Sequence, residues 1–318
     1  MKMKKLLIKN MVAFAAILTL GSCEKRLDLY PFNSIELSQS FQTAKDAATW
    51  NTGLYSDLRG RVYGSYNISQ DVQADQLNAT LDFGNRNGNP HRWGTSFLSD
   101  DGALSGPWQG YYFALRNINT CVAGFEKIKT TTAAEATALN KYKGDAYLAR
   151  AYYYSELILR FAKPYDKATA ATDLGVPLVL TATKAPITDA DYKARATVKA
   201  VYDQVVADLI KAESLMPSTN SKFATKWAAA AQLSRVYLML GNYTEAAAAA
   251  NRVIAGSGKT ITPEFKNNWY TYINFGGVTP NEYIFYIKVS NQDGTNSLNT
   301  YYGRTISGIP GSAGRSDM

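Results

Sequence analysis

The chain has 318 residues, 46% hydrophobic, 12% aromatic and 19% charged, which excludes a disordered chain, a collagen and a disulfide-stapled miniprotein. Its single histidine, His91, excludes zinc sites built from two or more histidines and leaves any Ser/His/Asp or Cys/His scheme dependent on that residue. Half of the net charge of +8 belongs to residues 1–22, where Lys2, Lys4, Lys5 and Lys9 meet no acid. The remainder carries 30 basic and 26 acidic residues, with no Lys/Arg block of the kind that binds nucleic acid.

Lys2, Lys4 and Lys5 precede an apolar stretch over residues 11–20, followed by Gly21, Ser22 and Cys23. That order predicts a secretory signal peptide over residues 1–22. The apolar stretch is too short to span a bilayer. Leu20-Gly21-Ser22-Cys23 resembles the lipobox of bacterial lipoproteins, which implies lipidation of Cys23 as the first mature residue; the alternative is an unlipidated leader with an incidental cysteine. Acyl chains contribute about 0.8 kcal/mol per buried methylene, and stable anchoring takes more than one chain. The most apolar later stretch, 146–161, is interrupted by Arg150, Glu156 and Arg160. After Cys23 only Cys121 follows, so the mature chain forms no internal disulfide and depends on its core.

Helical periodicity dominates the body. Phe41, Ala44, Ala47, Ala48, Leu54, Tyr55 and Leu58 predict a first helix. Trp108, Tyr112, Leu115, Ile118, Val122 and Phe125 predict a second, and Tyr147, Ala151, Tyr154, Leu157, Ile158 and Phe161 a third. Val201, Val205, Leu209, Ala212 and Leu215 predict a fourth, stopped by Pro217. Two more are expected over 226–240 and 244–255, divided by Gly241-Asn242. This last pair follows Ala230-x-x-Leu233-x-x-x-Tyr237-x-x-x-Gly241-x-Tyr243-x-x-Ala246-x-x-x-Ala250, which looks like a tetratricopeptide unit. One such pair cannot bury its own apolar face, so the third and fourth helices are its expected neighbours. The connection 162–197 is longer than a turn requires and is expected to be either functional or braced on the surface. Residues 63–107 and 256–318 read as irregular, the latter with a short alternating piece at Tyr283-Ile284-Phe285-Tyr286-Ile287.

Several short motifs occur in a fixed order. Leu27-Asp28-x-x-Pro31, Gly53-Leu54-Tyr55 and Asp71-x-x-x-Asp75 come first. Trp108-x-x-x-Tyr112, Asn119, Leu148-x-Arg150-Ala151 and Gly175-Val176-Pro177-Leu178 follow. Arg195-x-Thr197-x-x-x-Val201-Tyr202 leads to Asp208-Leu209-x-x-Ala212-x-x-Leu215-x-Pro217 and, after the helical pair, Glu282-x-Ile284-Phe285. In this order, over residues 20–290, they resemble the SusD/RagB family of surface nutrient-binding lipoproteins. The resemblance implies a mainly α, tetratricopeptide-like helical hairpin frame with long irregular loops and few short strands. The domain would run over 23–318, with helix pairs at about 137–256. It also implies an outer-membrane lipoprotein, exposed at the cell surface, that binds a glycan (in some members a peptide) and delivers it to a SusC-type TonB-dependent transporter without catalysis. Members of the family continue well beyond this length, so part of the frame and of the ligand surface is expected to be missing.

Glycan binding needs flat aromatic faces with amides or guanidiniums beside them. The run Asn85-Arg86-Asn87-Gly88-Asn89-Pro90-His91-Arg92-Trp93 offers that mixture, and Trp93, Asn85, Asn89 and Arg92 are the candidate ligand contacts. Their structural alternative is a tryptophan filling a core gap and asparagines shaping turns. Tyr301-Tyr302 and Trp269-Tyr270 are secondary candidates. Tyr152-Tyr153-Tyr154 cannot share one helical face and read as frame. Asp71 with Asp75, or Asp100 with Asp101, could be offered as a glycosidase pair, but scattered acids in a helical frame more commonly cap helices or face solvent. His91 lacks a second metal-binding neighbour, so no metal or cofactor is expected. Asp145 and Arg150 are expected to brace their helix. Competing functions are a helical-repeat scaffold that binds only the transporter and, at greater distance, a surface hydrolase.

Overall fold

The computed structural model describes residues 36–62, 65–79, 87–182, 188–219, 223–261 and 282–287. Cys23, Asn85, Trp269, Tyr270, Tyr301 and Tyr302 lie outside the described residues, as does the leader. The chain divides into two units, Met1–Phe41 and Gln42–Met318. The described part of the first holds one 3-10 turn, Leu37–Gln39.

The second unit opens with α1 (Ala44–Arg61), started by a capping box in which the Asp46 amide donates to Thr43 Oγ1 and the Thr43 amide donates to Asp46 (2.8 Å). The bond from the Thr43 amide, joined by those from the Thr43 hydroxyl and the Gln42 amide, stabilises the charged form and holds the Asp46 carboxyl below its ordinary range. α2 (Ser65–Gln73), a short α3 (Gly88–Arg92) and α4 (Gly102–Phe125) follow. α5 (Ala133–Phe161) begins with a second capping box, Thr132 with Glu135. β1 (Leu174–Pro177) and β2 (Arg195–Thr197) form a two-stranded antiparallel sheet with Leu174 opposite Thr197. α6 (Val198–Leu215), α7 (Lys226–Met239) and α8 (Tyr243–Gly256) complete the order.

The mainly helical frame is as expected. α5 is its centre and packs on α1, α4 and α6, while α6 packs on α7 and α7 on α8, so antiparallel pairs stack side by side. Buried Tyr111, Leu115, Ile118 and Phe125 of α4 meet Tyr153, Tyr154, Leu157 and Ile158 of α5 at helical spacing. Each fully buried aliphatic side chain contributes about 1.5–3 kcal/mol. Gly144 lets α5 approach α6: a Cβ there would overlap Met216 Cγ and lie 3.3 Å from the Ala212 carbonyl. Gly241, at φ +71°, makes the tight α7–α8 turn.

Three expectations change. The stretch 63–107 contains α2, α3 and the start of α4. Ile68 and Val72, one turn apart, bury the inner face of α2. α4 begins at Gly102 because the Asp101 carboxylate caps it, accepting from Ala103 N (2.9 Å). Pro107 then lies buried inside the helix and gives up only the bond to the Ala103 carbonyl. Asp145 and Arg150 do not simply brace one helix. Asp145 pairs with Lys141 and accepts from Tyr55 of α1 (2.9 Å), while Arg150 reaches α6, where both Asp208 oxygens accept from it (2.7 and 2.8 Å). Residues 282–287, expected to alternate like a strand, form no strand.

The connection 162–197 is braced. Val179 C=O accepts from Asn119 Nδ2 (2.7 Å) and from Tyr154 OH (2.9 Å), the Val179 amide donates back to that hydroxyl (2.8 Å), and Pro177 C=O accepts from Tyr112 OH (2.8 Å).

Cys121 is fully buried in α4, and burial pushes its thiol up to about 12. In a Cys23→Ser chain at pH 8, a thiol reagent should therefore modify nothing until denaturant is added. Rapid stoichiometric labelling of the native protein would contradict this packing.

Candidate functional site

The described part of the candidate run spans 87–93 and folds as α3 with its flanking residues. Asn87 starts α3 and Trp93 ends it, both left-handed at φ 57° and 47°. Asparagine tolerates that conformation. Tryptophan adopts it rarely, at a cost of about 1–3 kcal/mol that the surroundings must offset. One compensating contact is visible: Trp93 Nε1–H donates to the Gln73 carbonyl at the end of α2 (3.2 Å). Trp93 does not fill a core gap; it is 63% exposed. Phe97 stands edge-on to it, with ring centroids 5.5 Å apart. The indole is thus held at its polar edge and along one side while much of its surface faces solvent.

The other described candidates lie on the same short helix. Asn89 Nδ2 donates to Asp101 (3.4 Å), tying α3 to the cap of α4. Arg92 is exposed next to Trp93, and His91 is partly buried. Phe97 and Gln73 were not among the candidates, although the Trp93-x-x-x-Phe97 spacing was readable; the Gln73 contact spans twenty residues and had no local signal.

Of the acids that could be offered as glycosidase pairs, the Asp101 carboxylate caps α4, Asp100 is exposed, Asp71 is half-buried in α2, and Asp75 sits exposed in a left-handed turn at φ 56°. Tyr153 and Tyr154 are buried and Tyr152 partly so, as expected for frame. Tyr153 OH donates to Asp57 (3.1 Å), and burial raises all three phenols above their ordinary range.

A second concavity, a mainly apolar cavity of about 290 Å³, lies between α1, α5, α7 and residues 284–287. Leu54, Leu58, Leu148 and Phe285 line it, with Gln232 and Arg235 supplying polar groups. Tyr55, Asp145 and Tyr152 line it as well, Tyr55 and Asp145 being hydrogen-bonded to each other (2.9 Å), and it is continuous with the packing of Phe285 on the frame.

The SusD-like family model, described as "Starch-binding associating with outer membrane", matches residues 33–238. SusD-like protein P38 of Formosa agariphila is 26% identical over 329 aligned positions, which cover 97% of this chain and 59% of that protein. The chain thus spans about three fifths of the length of that relative. The crystal structure of a SusD superfamily protein from Bacteroides thetaiotaomicron superposes with a TM-score of 0.58 at 26% identity, over 71% of this chain and 50% of that one. A SusD superfamily structure from Bacteroides fragilis reaches 0.62 at 20% identity, over 80% and 57%, and shares the fold.

Proposed function

The chain belongs to the SusD-like family, described as starch-binding and associating with the outer membrane, and from that premise we propose that it captures a nutrient oligosaccharide at the cell surface and passes it, uncleaved, to a SusC-type TonB-dependent transporter. Lipid on Cys23 tethers it to the outer membrane. The observation that carries this reading is the exposed indole of Trp93, fixed by Gln73 and Phe97. A sugar ring stacks its apolar face on such a surface, and Arg92 and the Asn89 amide are near enough in the chain to serve its hydroxyls. Because the ring is already held, little conformational freedom is lost on binding. Each contact is modest, which suits release to a transporter. Asn85, Tyr301 and Tyr302 are further proposed contacts.

The test is native electrophoresis of the full chain in gels cast with soluble starch and with a panel of other neutral polysaccharides. Retardation is expected in at least one gel, with no reducing sugar released. Trp93→Ala should weaken it about three- to tenfold, the worth of one aromatic contact. Equal migration in every gel, together with no association with a transporter, would overturn the reading.

A further inference from the structure

The cavity of about 290 Å³ between α1, α5, α7 and residues 284–287 is at the lower limit of small-ligand pockets, which run from about 300 to 1,000 Å³. Its two ends differ. Asp145 and Tyr152 line it from α5, two turns apart, or about 10 Å along the helix axis, and Ala228 and Arg235 line it from α7 at the same spacing. The end at Asp145 is closed and satisfied. Asp145 pairs with Lys141 and accepts from the Tyr55 hydroxyl (2.9 Å), which in turn accepts from the Ala224 amide (2.9 Å). Between the ends the walls are hydrocarbon, from Leu54, Leu58, Leu148 and Phe285.

The other end is unsatisfied. Tyr152, Gln232 and Arg235 line it, and among the described residues none of their side chains makes a hydrogen bond or an ion pair. Burial and Glu156 hold the Tyr152 phenol above its ordinary range, and the charge of Arg235 opposes that shift, which puts the guanidinium near the hydroxyl. Glu156, the acid beside Tyr152, is already engaged by Arg160 (2.9 Å). Arg235 is exposed, so this end is the mouth. Three hydrogen-bond donors and one unbalanced positive charge therefore meet where a hydrocarbon cavity opens.

We propose that this cavity binds a small amphipathic carboxylate, its hydrocarbon body inside and its head group held at the mouth by Arg235, with Tyr152 and Gln232 donating. A guanidinium matches a carboxylate through two parallel hydrogen bonds. The hydrocarbon body adds about 25 cal/mol for each Å² it removes from water. At the closed end Asp145 offers only acceptor oxygens, which turns the head group toward Arg235. A neutral sugar would leave hydroxyls unpaired against the leucines, so the ligand class differs from that of the Trp93 surface. The proposal does not rest on the polysaccharide reading.

The test is isothermal titration calorimetry of the full chain with octanoate, set against 1-octanol and octylammonium, which carry the same body under a neutral and a cationic head. One octanoate should bind per chain, and the other two should bind about tenfold more weakly or not at all. Arg235 is exposed, so Arg235→Gln should keep the wild-type unfolding midpoint while weakening octanoate about tenfold and leaving 1-octanol as it was. Tyr152→Phe should weaken octanoate about three- to tenfold, the worth of one hydrogen bond. Absence of octanoate binding overturns the proposal. Equal binding of the three probes overturns it as well, since a cavity that reads only hydrocarbon behaves that way. So does octanoate binding that Arg235→Gln leaves unchanged, because the head group would then sit elsewhere.

Discussion

Arg150→Ala is expected to destabilise the protein by about 3–5 kcal/mol, as breaking one side of a buried ion pair does. Arg150 and Asp208 are both almost fully buried, and the guanidinium forks onto both carboxylate oxygens. Asn119 Oδ1 accepts from Arg150 (3.1 Å), and Gln204 donates to Asp208 (2.9 Å), so four groups on α4, α5 and α6 form one network. Burial alone raises the Asp208 carboxyl above its ordinary range, and Arg150 opposes that shift. Removing the arginine leaves the desolvated carboxylate without its counter-charge. Urea unfolding should report the loss. Arg150→Met with Asp208→Leu should recover most of it, because the double replacement leaves no orphaned charge. A single variant as stable as the wild type would show that water reaches this site.

Tyr154→Ala should cost about 3–5 kcal/mol through the cavity left by a fully buried ring. Tyr154→Phe separates the hydroxyl from the ring and should cost about 1–3 kcal/mol. That hydroxyl both donates to the Val179 carbonyl and accepts from the Val179 amide, so its loss orphans the amide and leaves the carbonyl with the Asn119 bond alone. The effect should be local as well as global. Trypsin should cut the 162–197 connection, at Lys167, Lys193 or Arg195, faster in Tyr154→Phe than in the wild type. Equal cleavage would mean that Tyr112 and Asn119 hold the connection unaided.

Which helices could be read in advance followed from how local their signals are. The α7–α8 pair was legible nearly to the residue, because Gly241 and the alanine spacing act within one turn. α6 was legible from its apolar spacing and Pro217. α2 was not: nine residues, with Ile68 and Val72 on its inner face, give too short a period to stand out from Asn- and Gly-rich flanks. The start of α4 was misplaced because Pro107 reads as a stop, whereas the Asp101 cap and the burial of Pro107 outweigh one lost hydrogen bond.

The candidate site divided along the same line. Trp93 could be picked out by residue type, but its exposure depends on Gln73 and Phe97. Residue order alone determined the helical periodicity, the caps, the repeat turn and the family, because each acts between near neighbours or accumulates along the chain. Only the tertiary structure decided that Arg150 meets Asp208 and that Trp93 faces solvent. Burial and pairing are properties of whatever the fold brings alongside a residue, and no spacing along the chain encodes them.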